Sequence, residues 1–184
     1  MHEKRFNRQI ERLRDPERVA RLEVDRVIDL VLQDLKAARS VLDVGCGSGL
    51  FAEQFAALGM QVTGLDANPE MLPAAQQYVP GGVFREGVAE KLPFEDGAFD
   101  VVFMGLVLHE TDDILAALQE AHRVVRKRLA ILEWPDEDQS FGPPRGDRLP
   151  FDTIQSLATQ AGFKDVQQKC LENLTLYRLD VPAV

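Results

Sequence analysis

The chain has 184 residues, 45% of them hydrophobic, which suits one folded domain with a full core and excludes a disordered or low-complexity protein. Thirty acidic against 21 basic side chains give a net charge of -9, concentrated where residues 41–120 carry 13 acidic and 2 basic groups while the rest carry 17 and 19. A surface of that sign repels a phosphate backbone and argues against a nucleic-acid partner.

No apolar run approaches the roughly 20 residues of a membrane span. Neither Met1-His2-Glu3-Lys4-Arg5 nor the mixed charges after it read as a targeting segment. Cys46 and Cys170 are too few for a disulfide framework. The expectation is a cytoplasmic protein with reduced thiols and no membrane partner, as a monomer or homodimer.

Apolar side chains at Ile10, Leu13, Val19, Leu22, Val27, Leu30, Val31 and Leu35 approximate helical spacing, and Asp15-Pro16-Glu17 reads as a helix start. Two leading helices are expected, with residues 1–38 forming a helical segment that caps the site and residues 39–184 the main domain. A first strand over Val41–Val44 leads into the glycine run, and Leu50–Leu58 reads as a helix that Gly59 stops. Val62–Asp66 is a second strand, and Asn68-Pro69-Glu70 is expected to cap the next helix with proline at its first position. Pro80-Gly81-Gly82 turns the chain into a strand at Val83–Arg85, and Val101–Met104 is apolar throughout, as in a strand buried on both faces.

Thr111-Asp112-Asp113 caps a long helix to about Arg126, and the basic run of Arg123, Arg126, Lys127 and Arg128 reads as its solvated end, favoured by the helix dipole, before a fifth strand at Leu129–Trp134. Pro135–Leu149 is a loop leaving the carboxyl end of that strand, where α/β sheets bind ligands, and so a candidate wall for a second ligand. A helix over Phe151–Ala161 and two close strands, Val166–Cys170 and Leu174–Leu179, finish the chain as a hairpin. The fold class is therefore α/β: a three-layer, Rossmann-like doubly wound sheet of seven strands, mostly parallel with an antiparallel C-terminal strand.

Gly45, Gly47 and Gly49 stand on alternate positions after the first strand, and the second strand ends on Asp66. Glycines allow close backbone approach and a strand-tip acid takes ribose hydroxyls, so the arrangement suits an adenosine-bearing cofactor. The dinucleotide fingerprint needs a glycine where this chain has Leu50. Asp43 beside the turn would repel a pyrophosphate and attract the ammonium of a methionine moiety, so the sign of the charge favours S-adenosylmethionine.

Asp43-Val44-Gly45-Cys46-Gly47-Ser48-Gly49 resembles the first motif of class I S-adenosylmethionine-dependent methyltransferases, and Asp66 falls where that family keeps its ribose-binding acid. The segment from Gly87 to Asp100 is similar to the family's third motif, and Glu120–Val125 with Leu129–Trp134 to its fifth helix and strand. The resemblance implies that Asp43 and the backbone of Gly45, Cys46, Gly47 and Gly49 hold the methionine part and Asp66 the ribose. It further places Ala67 and Met71 on the adenine face, Val88 and Ala89 at its edge, and Leu106 among the cofactor contacts. The family commonly has an aspartate at Val88, an acceptor worth about 1 kcal/mol, which leaves Glu90 and nearby backbone to compensate. Two cysteines are also too few for the thiol clusters of arsenite methyltransferases.

The implied chemistry is transfer of an electrophilic methyl group to a small-molecule acceptor, for which alignment and exclusion of water suffice. His109, at the carboxyl edge after strand four, either takes a proton as the catalytic base or packs against the next helix. His122, Trp134 and Tyr177 read as packing residues and Cys46 as a small filler, and acids at 110, 112 and 113 read as a helix start rather than a metal site. Two other readings stay open: a non-catalytic sensor of S-adenosylmethionine or S-adenosylhomocysteine, and a nicotinamide-dependent oxidoreductase.

Overall fold

Seven strands form one sheet in the order β3-β2-β1-β4-β5-β7-β6 in the computed structural model, which describes residues 10–182. The strands are β1 (Ser40–Val44), β2 (Gln61–Asp66), β3 (Val83–Glu86), β4 (Phe99–Gly105), β5 (Val125–Glu133), β6 (Gln167–Cys170) and β7 (Thr175–Asp180). Those from β3 to β5 run parallel, while β7 is antiparallel to both β5 and β6. The predicted doubly wound sheet and its C-terminal hairpin are both present.

Strand alternation places the core. Leu42, Val102, Met104, Leu129 and Ile131 face one layer with α6 (Ile114–Val124) and α7 (Phe151–Gln160), while Val41, Val101, Phe103, Ala130 and Leu132 face the other with α3 (Val24–Leu32) and α4 (Leu50–Ala57). Both faces of the central strands are buried, which is why they read as continuous apolar runs. Strand order reverses between β1 and β4, so the carboxyl ends of these strands splay into a crevice at the topological switch point. Among the described residues no helix is long and apolar enough to cross a membrane.

Three local expectations are corrected. Three leading helices occur where two were expected, α1 (Ile10–Leu13), α2 (Pro16–Leu22) and α3, because Glu23 adopts a left-handed conformation that ends one and begins the next. Asp15 caps α2 as predicted, accepting from the N–H groups of Glu17 and Arg18 at 3.1 Å, and residues 1–9 of the expected capping segment lie outside the described residues. Helix α5 (Leu72–Tyr78) starts later than Asn68-Pro69-Glu70: Asn68 Oδ1 accepts the Glu70 N–H in a turn of its own, and Pro73 takes the first helical turn.

The third correction concerns Arg126-Lys127-Arg128, which is no helix end. Helix α6 passes straight into β5, and the three residues lie on that strand. Arg126 and Lys127 approach Asp100 Oδ1 at 3.3 and 3.4 Å, and with the Arg39 and Ser40 N–H groups they outweigh the effect of burial and hold that carboxyl below the ordinary range. Arg128 is buried: its fork grips Asp180 on β7, while Nη1 donates to the Val31 and Gln33 carbonyls at 2.9 and 2.7 Å. A cation satisfies the negative end of α3 and ties that helix to the sheet. Arg128→Met is expected to cost about 3 kcal/mol, roughly 6–12 °C in Tm, with Asp180→Asn costing less because the helix carbonyls keep their donor. Thermal melts that leave Arg128→Met within about 2 °C of the parent would refute this.

Candidate functional site

A cavity of about 970 Å³ opens at the carboxyl ends of β1, β2, β4 and β5. That volume is at the upper end for small-molecule sites, room for two ligands side by side. Its floor is the turn between β1 and α4. Gly45 and Cys46 both donate to the Leu65 carbonyl, at 2.7 and 3.1 Å, and Gly49 donates to Cys46 at 2.8 Å, so the loop is closed on itself and bound to β2. Gly45 has φ +70°, and a Cβ there would stand 2.4 Å from Val107 Cγ2. The turn therefore requires glycine on both conformational and steric grounds.

Two carboxylates flank this loop. Asp66 is half-buried, and its oxygens accept the N–H groups of Gly47 and Asn68 at 2.7 and 2.8 Å. Burial raises its pKa, and those two hydrogen bonds only partly oppose the rise. Asp43 is fully enclosed, and its Oδ2 has no hydrogen-bond partner. Burial first, and then Asp66, push its carboxyl up to about 8. A buried acid with an orphaned oxygen beside bare backbone is an arrangement that a cation completes. Cys46 packs into the space left by Gly64, and burial with both aspartates drives its thiol pKa upward, which fits the filler expected of it and no nucleophile.

The opposite wall comes from the segment after β4. Leu106, with φ +59°, is held in a left-handed conformation by its N–H bond to the Leu132 carbonyl at 2.8 Å. Such strain in a non-glycine residue concentrates at functional sites. One turn of 3₁₀ helix, Leu108–Glu110, then presents His109 to the cavity. Its Nδ1 lies 2.7 Å from Oε2 of the buried Glu133, whose Oε1 accepts the His109 backbone N–H at 3.2 Å. Burial alone would lower the imidazole pKa, but Glu133, with Glu110 and Asp147, outweighs it and holds the ring above its ordinary 6.5. With Nδ1 engaged, Nε2 is the nitrogen left to exchange a proton, 3.9 Å from Glu110 Oε1.

The remaining walls are α1 and α2, through Leu13, Arg18, Arg21 and Leu22, and the predicted loop at 135–149. That loop is folded around one side chain: Arg148 donates to the carbonyls of Pro135, Glu137, Phe141 and Pro143 and to Gln139 Oε1, between 2.7 and 3.1 Å. Trp134 and Phe141, with ring centroids 5.9 Å apart, give it an aromatic face on the cavity. Gly142 is needed beneath them, since a Cβ there would meet the indole at 2.9 Å.

Of the residues singled out from sequence, Gly45, Cys46, Gly47, Asp66, Ala67, Met71, Val88, Ala89, Glu90, Leu106 and His109 all line this cavity. Asp43 and Gly49 stand behind the loop: Asp43 is buried, and Gly49 is the left-handed residue that opens α4. Glu90, expected to compensate for Val88, is engaged elsewhere through Oε1, which accepts the Asp112 and Asp113 N–H groups at 2.7 and 3.4 Å. Trp134, expected only to pack, is part of the cavity wall, whereas His122 and Tyr177 do pack, edge-on to Phe163 and stacked on Phe151. Glu133 went unnoticed in the sequence because its partner lies 24 residues away on a neighbouring element.

Residues 42–131 match the methyltransferase domain family. A demethylmenaquinone methyltransferase of Chlorobaculum tepidum is 41% identical over 87 residues, covering 47% of this chain and 36% of that protein. A malonyl-(acyl-carrier protein) O-methyltransferase of Erwinia billingiae is 38% identical over 89 residues, covering 48% of this chain and 36% of the relative. The chain thus spans little more than a third of the length of these curated relatives. The crystal structure of a SAM-dependent methyltransferase from Aquifex aeolicus has the same fold, with a TM-score of 0.78 at 23% identity over 94% of this chain and 97% of that one.

Proposed function

We propose that the chain, which matches the methyltransferase domain family over residues 42–131, is a class I S-adenosylmethionine-dependent methyltransferase that methylates a small-molecule acceptor carrying a dissociable proton. The observation that carries this reading is the acid pair around the glycine loop. Asp43 Oδ2 is buried and unpartnered, and the Gly45–Gly49 backbone beside it is bare. These features fit a ligand that is cationic at one end and carries ribose hydroxyls near Asp66. A diphosphate would meet two carboxylates and no cation on that wall.

In this assignment Asp43 and the glycine loop hold the methionine part, Asp66 the ribose, and Ala67, Met71, Val88 and Ala89 the adenine. Residues 10–32 and the loop at 135–149 close over the cavity and keep water from it, supported by Leu13, Leu22, Trp134 and Phe141 on its wall. S-adenosylmethionine supplies an electrophilic methyl group there. The chain's own contribution is alignment and the handling of one proton: Glu133 fixes His109 with Nδ1 toward it, and Nε2 accepts the proton that the acceptor's O–H, N–H or acidic C–H releases. The unpaired Cys46 and Cys170 accord with a reducing, cytoplasmic setting.

Calorimetric titration tests the assignment. S-adenosylmethionine and S-adenosylhomocysteine are expected to bind and NAD to give no heat, whereas binding of NAD alone would replace this reading with an oxidoreductase. Asp66→Ala is expected to weaken S-adenosylhomocysteine by about 1–3 kcal/mol, and an unchanged affinity would remove Asp66 from the ribose site. A screen of metabolites with labelled donor then identifies the acceptor.

A further inference from the structure

Six arginines among the described residues are not exposed, and five of them are held within the protein by an ion pair or by several hydrogen bonds, although Nε of Arg14 and of Arg178 has no partner. Arg14 pairs with Glu53, Arg123 with Glu120 and Asp96, and Arg128 with Asp180. Arg148 is saturated by loop carbonyls, and Arg178 donates to Leu30 O, Gln33 Oε1 and Gln167 Oε1. Arg18 is the sixth. Its side chain gives one hydrogen bond, from Nη1 to the Leu13 carbonyl at 2.8 Å, and lies against the cavity with no carboxylate in ion-pair range among the described residues.

A half-buried guanidinium without a counter-charge is held at a cost, and burial indeed lowers its pKa. Its planar fork matches the two oxygens of a carboxylate. Asp66, Glu90 and Glu110 on the cavity wall and Asp43 behind the glycine loop belong to the sheet side, Asp147 lies on the loop at 135–149, and Arg18 enters from α2. Its anchor, Leu13, sits over the glycine loop, where a Cβ built on Gly47 would be 3.3 Å from Leu13 Cδ1. The charge distribution of the cavity is thus that of a zwitterion's complement.

We propose that Arg18 is the carboxylate receiver of this cavity. Resting on the donor assignment above, it takes the α-carboxylate of the methionine moiety whose ammonium Asp43 attracts. The same chemistry has a second source in an acid group on the acceptor, and the test separates the two.

The experiment titrates the parent protein and Arg18→Met with S-adenosylhomocysteine, with 5′-methylthioadenosine, which lacks the amino-acid end, and with benzoate. A loss of about tenfold or more for S-adenosylhomocysteine, with methylthioadenosine changed less than about twofold, assigns the donor's carboxylate. Unchanged S-adenosylhomocysteine with loss of the benzoate binding seen in the parent assigns the acceptor's acid group. Equal behaviour of parent and variant toward both carboxylates overturns the proposal. If Arg18→Met loses methylthioadenosine too and has failed to fold, the same comparisons are read on Arg18→Lys, which keeps the charge and gives up the fork. A parent protein that binds no S-adenosylhomocysteine sinks the methyltransferase reading, and benzoate alone then decides for or against Arg18.

Discussion

Asp43→Asn is expected to stabilise the ligand-free protein at pH 8 while weakening S-adenosylmethionine by about 1.5–3 kcal/mol, roughly 10- to 150-fold. The carboxyl is enclosed with one oxygen unpartnered, and burial together with Asp66 pushes it up to about 8. The native state therefore keeps a proton that the unfolded chain has already lost above its ordinary 3.8, and the stability of the free protein falls as pH rises from that value toward 8. Asparagine fills the same volume with no charge to develop, so the variant loses this slope.

Binding of a cationic donor reverses the preference, because the charged carboxylate then has a partner. The affinity of the parent for the donor should climb with pH up to about 8, with proton release visible as a dependence of the binding heat on the buffer's ionisation enthalpy. Asp43→Asn should show neither effect. A variant that binds the donor within about twofold of the parent, or a parent that releases no proton, would mean that Asp43 merely packs beneath the loop.

What the sequence disclosed here follows the range over which each feature is determined. The glycine turn was legible because its first requirement is local: φ +70° at Gly45 disfavours a side chain whatever lies beyond, and Val107 Cγ2, distant in sequence, only adds to it. The central strands were legible for a related reason, since Val101–Met104 must satisfy two apolar layers at once. Arg128 misled because three basic residues in a row read as solvated, and only the return of β7 brings Asp180 and the end of α3 against it. Asn68-Pro69 misled in a different way: its turn signal was real, but it closes a turn of its own before α5 begins. Glu133 reads as an ordinary acid at the end of a strand, and its role exists only because the parallel pairing of β4 with β5 sets it beside the turn that follows β4.

That pairing makes Glu133→Gln the sharper test of the catalytic half of the site. Glu133 is the main upward influence on the His109 ring, set against burial, so the imidazole of the parent is expected to titrate above 6.5 and that of the variant at or below it. Nuclear magnetic resonance of the ring protons reads both values directly, with His109→Gln to assign the signal. The sign carries into the reaction. A base must be neutral to accept a proton, so kcat for the acceptor found by screening should rise as pH climbs through the raised value. In Glu133→Gln the rise should move to lower pH while the plateau drops, since the ring loses the group that orients Nδ1 and steadies the protonated form. His109→Gln should lower the plateau by about 10²–10⁴ and abolish the acid limb. A purely structural role for the pair predicts lost stability with an unmoved pH profile, and that outcome would leave an acceptor that gives up no proton to the protein.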